Sequence, residues 1–176
     1  LTQASSAKPA KALDMIISPD HHLYLPDGTY KWTPDRVKQA WATAGILFHQ
    51  ALAWPIKPEA VVLMVGVPAS GKSTWLSENE DECALYFDAT FALPQWRKPW
   101  IASATAAGVR VEIVWVDTPL EVCIERNAAR PADRRVPEDT MRKMHRNIKS
   151  HPPSVSEGVA GVGRIFVGRK EENFLP

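Results

Sequence analysis

Only two cysteines, Cys83 and Cys123, occur among 176 residues. Their positions fit no metal-ligand spacing, which excludes a cysteine-ligated zinc site. Both lie in apolar runs and are expected to be reduced core residues of a cytosolic protein. No apolar run approaches the ~20 residues a membrane helix needs. No signal peptide is visible, and the chain opens on Leu1, which suggests that residues preceding it have been trimmed away. A cytoplasmic location with no membrane association is the expectation. Net charge is also scarce, at +1, which excludes a binder of nucleic acid over its whole surface. Internal repeats and low-complexity linkers are absent too. The chain is long enough to bury a core, so one domain over residues 13–176 is expected, preceded by a loose Ala/Ser/Lys-rich segment at 1–12.

What is present is unevenly placed. Hydrophobic residues make up 45% of the chain, enough for a globular fold, and seven are Trp, some of which should stand half-exposed. From Arg126 to Lys149 there are eight Lys/Arg against three Asp/Glu, a local +5. The remainder holds 13 basic against 17 acidic residues, a local −4. One basic segment on a near-neutral body points to an anionic ligand held at one place, or else to a solvated helix face.

Periodicity gives an alternation of strands and helices. Residues 13–18 (LDMIIS) read as a strand, and Asp27-Gly28 as a turn. Thr33 has the character of an N-cap, with Pro34 at the first helical position and Asp35 in the first turn. The helix it opens runs to about Ala53, with Val37, Trp41, Ala44, Phe48 and Leu52 near helical period. Residues 60–65 (AVVLMV) form a continuous apolar run, as in a parallel strand buried on both faces. A helix from Gly71, a strand at 84–87, a helix at about 94–107, a strand at 109–116, helices near 119–129 and 137–150 and a last strand at 163–167 complete the pattern. Such alternation specifies an α/β fold with a mostly parallel sheet.

The chemistry is carried first by GVPASGKST, Gly66 to Thr74, which fits G-x-x-x-x-G-K-[ST]. It follows a buried strand and opens a helix, the context that makes the match specific. Glycines let backbone N–H groups turn toward phosphate oxygens, and the helix N-terminus adds positive character. Gly66, Pro68, Ala69, Ser70, Gly71, Lys72, Ser73 and Thr74 are therefore the expected nucleotide-binding residues. Lys72 can reach the β- and γ-phosphates, and the Ser73 hydroxyl can ligate Mg²⁺. The absence of an N-K-x-D motif argues against GTPases of the Ras type, and the domain is small for a motor. Downstream, IERNAARPADRRVP brings Arg126, Arg130, Arg134 and Arg135 close together. Arg126 and Arg130 stand one helical turn apart. Phosphoryl transfer needs positive charge that closes over the moving group and excludes water, so this segment reads as a lid over residues 119–150. The alternative is a solvated basic helix.

With these residues in view, the chain resembles the polynucleotide-kinase-like P-loop kinases, a group of phage and bacterial proteins. VEIVWVDTPLEVCIERNAARPADRRVPEDTMRKM resembles their fourth strand, lid and following helix. YFDATFALPQWRKPWI resembles their third strand and the turn and helix after it. Asp88 falls on the family's Asp, while Phe91 stands where the family usually has Asn. The unit that should lie between the P-loop and the DAT strand is found ahead of the P-loop instead, as IISPD…DGTYKWTPDRVKQAW…LFHQAL. The chain thus looks circularly permuted, with a βα unit at 13–54 ahead of the P-loop unit at 60–80. The resemblance covers roughly residues 13–168.

The resemblance implies an α/β P-loop kinase with a five-stranded, mostly parallel sheet flanked by helices and an Arg-rich helical lid. It implies ATP and Mg²⁺, with Ser73 and Asp88 at the metal. Asp20 would be the acceptor-activating carboxylate, and Lys72, Arg126 and Arg130 would stabilise the transferring group. The acceptor would be a hydroxyl on a nucleic acid, with DNA ahead of RNA and no obligate protein partner. A 5′-OH end and the hydroxymethyl group of a modified pyrimidine such as 5-hydroxymethyluracil are the two forms it could take, and a phage-encoded protein would act in the host cytoplasm. A small-molecule kinase acting on a nucleoside or sugar nucleotide, and a nucleotide-binding module without transfer, are the rival readings. Asp20 is otherwise a turn residue. Asp117, His21 and His22 read as turn, cap or loop surface. Leu23 stands where the family often has Arg. Tyr30, Trp32 and Trp96 could stack bases on the acceptor side or serve as core.

Overall fold

The computed structural model describes residues 15–167, so the 1–12 segment lies outside the described residues. Five strands, β1 (Ile16–Ile17), β2 (Ala60–Val65), β3 (Ala84–Asp88), β4 (Arg110–Asp117) and β5 (Gly161–Phe166), form one sheet in the order β1-β3-β2-β4-β5. All four pairings are parallel. The expected five-stranded α/β architecture is therefore present, and parallel throughout. Between the strands run α1 (Pro34–Ala53), α2 (Lys72–Asn79), α3 (Pro94–Ala106), α4 (Leu120–Ala128) and α5 (Glu138–Ser150). None of the helices among the described residues is long and apolar enough to cross a membrane.

The placement of β1 is the topological fact that matters most for the site. It pairs with β3, Ile16 opposite Tyr86 and Ile17 opposite Phe87, and the chain must then cross β3 to enter β2. All strands point the same way, so the loops after β1, β2, β3 and β4 gather at one edge of the sheet. The expected strand over 13–18 is confined, among the described residues, to Ile16–Ile17. Pro19 follows and opens a short 3-10 helix, Pro19–Leu23, because its ring fixes φ and removes the N–H that a further ladder bond would need.

Alternation along the central strands sorts the core onto two faces. Val61, Leu63, Val65, Leu85, Phe87, Val111, Ile113 and Trp115 join the larger cluster with Phe48 of α1, Ile101 of α3, Cys123 of α4 and Met141 of α5. Val62, Met64, Tyr86 and Val116 join the smaller one, where α2 supplies Leu76. On α1 the buried stripe is Ala40, Ala44, Phe48, Ala51 and Leu52, the spacing of one helical face. Gly45 of α1 leaves room for Trp100 of α3, whose ring packs 5.2 Å from Phe48 and 4.6 Å from Phe87.

Local signals hold where backbone chemistry sets them. The Thr33 hydroxyl accepts from Arg36 N at 3.3 Å, closing the α1 N-terminus. Asp27 Oδ1 accepts from Thr29 N at 2.9 Å, forming the expected turn. Three expectations fail. The last strand starts at Gly161, two residues before the apolar run suggests. Cys83 is exposed, and only Cys123 is a core residue, because β3 starts at Ala84 and Cys83 belongs to the preceding turn. Arg130 does not continue the helix of Arg126, since α4 ends at Ala128 ahead of Pro131.

Candidate active site

The loop between β2 and α2 is shaped by close backbone approach. A Cβ at Gly66 would lie 2.6 Å from Ser70 Oγ and 2.9 Å from Val116 O, so only glycine lets the loop fold back onto β4. Gly71 takes φ +103 at the N-cap of α2, a left-handed conformation that places the first N–H groups of the helix at the mouth of the loop. The loop is anchored from β4 by Thr118, whose hydroxyl donates to Ser70 O at 2.6 Å. It is anchored from β3 by Gly66 N, which donates to Thr90 O at 3.3 Å. Ser70 Oγ is buried with no protein partner among the described residues, as fits a loop whose polar atoms serve an oxygen-rich ligand.

Lys72 Nζ donates to Gly66 O at 3.0 Å and Val67 O at 3.3 Å, which holds the ammonium across the loop. Burial pushes its pKa down, while Asp88 and Asp20 pull it back up. Bound phosphates would supply the further negative charge that favours the cation. Ser73 Oγ donates to Asp88 Oδ2 at 3.0 Å, so the hydroxyl that opens α2 and the carboxylate that ends β3 meet. An alcohol and a carboxylate side by side are hard oxygen donors, and a magnesium ion that keeps most of its waters needs no more from the protein. Ser73 and Asp88 therefore fit the ion that the loop motif implies.

Asp20 reaches the same crevice from β1, and the crevice is lined by Asp20, Lys72, Asp88, Arg126 and Arg130 together. Its carboxylate is accessible but sits between protein walls that strip part of its hydration. That desolvation raises its pKa, Asp88 raises it further, and Lys72, Arg130 and His21 oppose the rise. A carboxylate held above its usual range beside a phosphate loop is placed to take a proton. Tyr30 stands close enough for Asp20 to help push its phenol up to about 12, after burial as the larger cause. It therefore remains a neutral hydroxyl at working pH.

The segment expected to form a lid is a positioned structure. Asn127 Nδ2 donates to Val136 O at 2.8 Å and its Oδ1 accepts from Val136 N at 3.0 Å, stapling the segment between α4 and α5. Arg135 Nε donates to Arg130 O at 2.8 Å. Arg126 brings Nη1 within 3.8 Å of where a Cβ on Gly71 would stand, directly over the start of α2. Arg134 lies over the Tyr24 ring at 4.8 Å, joining the lid to the turn that follows Asp20. Leu23 is buried and contributes no charge, so the cations near Asp20 are Lys72 and Arg130 instead. Substituting Arg126 or Arg130 by Ala is expected to weaken the hold on phosphate in the crevice while leaving the melting temperature nearly unchanged, within the ~0.5 kcal/mol typical of surface positions. A large loss of thermal stability in the nucleotide-free protein would make them structural.

Several expectations are corrected by packing. Asp117 is neither turn nor cap. It is buried at the end of β4 and pairs with Lys149 of α5 and Arg164 of β5, whose hydrogen bonds and charge outweigh burial and lower its pKa. Part of the basic segment thus serves the fold and not a ligand. Phe91 sits at φ 44, a conformation Asn tolerates and Phe rarely adopts. Its ring is buried against Phe87 at 5.2 Å, so the position keeps the turn and offers no polar contact. The turn is held by Arg97, which sequence reasoning missed. Its guanidinium is fully buried, donates to Phe91 O at 2.7 Å and clasps Glu157 through two bonds of 2.7 Å each. Arg36 was missed as well. It donates to Lys31 O at 3.1 Å and His22 O at 3.4 Å and ties the ends of the loop after Asp20 to α1. An arginine at the first turns of an otherwise apolar helix face is the only signal for either. His21 and His22 lie in the short 3-10 helix after β1, with His21 exposed. Trp32 and Trp96 are exposed at 61% and 46% and line the crevice, as does the half-buried Tyr30.

A protein-family model described as an AAA domain matches residues 81–151, from the turn before β3 to the end of α5. The match covers less than half of the chain and begins beyond the Gly66–Thr74 loop, so motif and match are separate pointers to a P-loop NTPase-like domain. No curated protein matches the chain.

Proposed function

We propose that this P-loop domain is a kinase that moves the γ-phosphate of ATP to a hydroxyl group on a nucleic acid. The observation that carries the reading is the convergence of Asp20 with Lys72, Asp88 and the lid arginines in one crevice, although Asp20 precedes the P-loop in the chain. A nucleotide-binding module would have no use for a second, desolvated carboxylate at that point. The sheet order supports the permuted reading, because β1 enters beside β3 and brings Asp20 next to Asp88.

In this reading Gly66–Thr74 holds the phosphates, and Ser73 and Asp88 would hold a magnesium ion that would supply positive charge to the phosphate oxygens. Asp20 orients the acceptor O–H and takes its proton. The acceptor oxygen forms a bond to the γ-phosphorus as the bond from that phosphorus to the β–γ bridging oxygen breaks, leaving ADP. Lys72, Arg126 and Arg130 stabilise the charge on the transferring group and displace water from it. The basic lid segment favours an acceptor that is itself anionic, and the exposed rings beside Asp20 favour one that carries bases, with DNA ahead of RNA. A 5′-OH end and a pyrimidine hydroxymethyl group both satisfy these demands.

Incubation with γ-labelled ATP and 5′-OH DNA, 5′-OH RNA, hydroxymethylated DNA and nucleosides tests the proposal. Label on a polynucleotide, weakened steeply by salt, is the expected result. Transfer to nucleosides alone, insensitive to salt, would give the small-molecule reading. Lys72→Ala is expected to cripple both ATP affinity and turnover, because it removes the loop's only side-chain cation from the β/γ-phosphates. Unchanged turnover in that variant would remove the nucleotide site from Gly66–Thr74.

A further inference from the structure

The loops after β1 and β3 lie side by side because those strands are paired. The helices they lead into, α1 and α3, start at the same edge and pack against each other on the same face, with Trp41 and Trp100 rings 6.2 Å apart. The crevice of Asp20 and Asp88 continues as a groove lined by the first turns of both helices, Val37 of α1 and Gln95 of α3 among them. Its floor is aromatic. Trp41 rests on Phe87 at 5.9 Å and on Phe91 at 6.0 Å, and 36% of it still faces solvent. Trp32, just before the Thr33 cap, and Trp96, in the first turn of α3, line the groove at the two helix starts.

Two large exposed rings, Trp32 and Trp96, line this crevice and require an explanation, because packing does not use them. Trp32 and Trp96 take part in none of the ring pairs that build the core among the described residues. The groove's polar edges are distinctive as well. Gln95 lines it and can both donate and accept at the edge of a heterocycle. Arg130, close enough to Asp20 to act on its charge, and Arg134, over the Tyr24 ring, line the same crevice. Flat apolar surface on one side of the reacting carboxylate and guanidinium groups on the other is the complement of a nucleotide, ring on one side and phosphodiester on the other.

We propose that the α1–α3 groove is an acceptor subsite that takes an unpaired nucleobase, stacked against Trp32 and Trp96, while the adjoining backbone phosphate lies on the Arg130–Arg134 side. This rests on the kinase reading only for its location beside Asp20. A base inside a duplex presents no free face to the rings, so the subsite selects single strands, ends or extruded bases. Trp32 and Trp96 are then specificity-determining residues.

The test is binding of a dye-labelled single-stranded DNA, followed by anisotropy, beside an abasic strand of the same length and a blunt duplex. Wild type should bind the intact strand at least tenfold more tightly than the abasic strand. Trp32→Ala and Trp96→Ala should each weaken binding of the intact strand by ~5–100-fold, as loss of a stacked base requires. Both should bring intact and abasic strands closer to equal affinity. Trp54→Ala removes a ring that is 50% exposed and not part of the groove, and should change nothing. Equal binding of intact and abasic strands by wild type overturns the subsite, as does wild-type affinity in both groove variants. Ring-dependent binding without transfer to any acceptor would end the kinase reading and leave the subsite standing. Transfer that ignores the bases and both rings would do the opposite.

Discussion

Asp20→Asn is expected to lower phosphoryl transfer by ~10²–10⁴-fold, the range for loss of a positioned base, while ATP affinity stays near wild type. Asp20 follows a strand locked between the sheet edge and Pro19, so its backbone is fixed while its carboxylate faces the crevice. The phosphates are held by Gly66–Thr74, which Asp20 need not touch. Asn keeps the shape and loses the capacity to accept a proton. Steady-state transfer beside titration calorimetry with ATP reads the two effects separately. Retention of more than about a tenth of the rate, well above the loss expected of a base, would make Asp20 a turn residue. The acid side of the pH profile gives a second reading. Burial and Asp88 raise the Asp20 pKa, so kcat/KM should fall with acid at a pH above the usual aspartate range. Asp88→Asn removes one of the raising charges and should move that limb to lower pH, whatever it does to the maximum. The stability consequence has the opposite sign to that of a salt-bridged aspartate. A folded-state pKa above the unfolded one means that ionised Asp20 destabilises the fold above its pKa, and that the loss is relieved as pH falls through it. Asp20→Asn should therefore melt above wild type at neutral pH, and the gap should close in acid.

Glu157→Ala is expected to cost the fold roughly 3–5 kcal/mol, the usual penalty for breaking a buried ion pair from one side. Arg97 is fully buried, and Glu157 takes two of its N–H donors. Without Glu157 the guanidinium keeps its charge in a dry site, with backbone carbonyls of Phe91 and His151 as its remaining partners. Thermal melting should drop by ~6–20 °C, given the 2–4 °C per kcal/mol expected at this size. Replacing both partners by Met removes the uncompensated charge and should recover part of the loss. Full recovery is not expected, because Arg97 also secures the Phe91 carbonyl in a turn that φ 44 makes costly. A Glu157→Ala variant that melts with wild type would mean that the pair carries no weight in the fold.

Most of the architecture was legible without coordinates. The continuous apolar run at 60–65 specifies a buried parallel strand, because only a strand covered on both faces can be apolar at every position, while VRVEIVWV at 109–116 alternates first and becomes wholly apolar only toward its end. GVPASGKST specifies a phosphate loop because glycine spacing and a following helix leave the backbone little else to do. An Asp placed at a strand end can be assigned to the ligand edge of a parallel sheet whatever its place in the chain, and Asp20 lies there. These readings hold because periodicity and turn chemistry are local, and each residue's neighbours in sequence are enough to define them.

What tertiary structure decided are the pairings between distant residues. Nothing near Asp117 in the chain announces Lys149 or Arg164, and nothing near Arg97 announces Glu157. Each is a long-range satisfaction of a charge that burial would otherwise make costly, and the partner depends on which helix packs where. Exposure is equally non-local. Cys83 in an apolar run lies outside, while the charged Arg97 lies fully inside. The groove with Trp32, Trp41 and Trp96 exists only because β1 pairs with β3 and so brings two separate helix starts together. The sequence places each ring on its element, and the order of strands in the sheet makes them one surface.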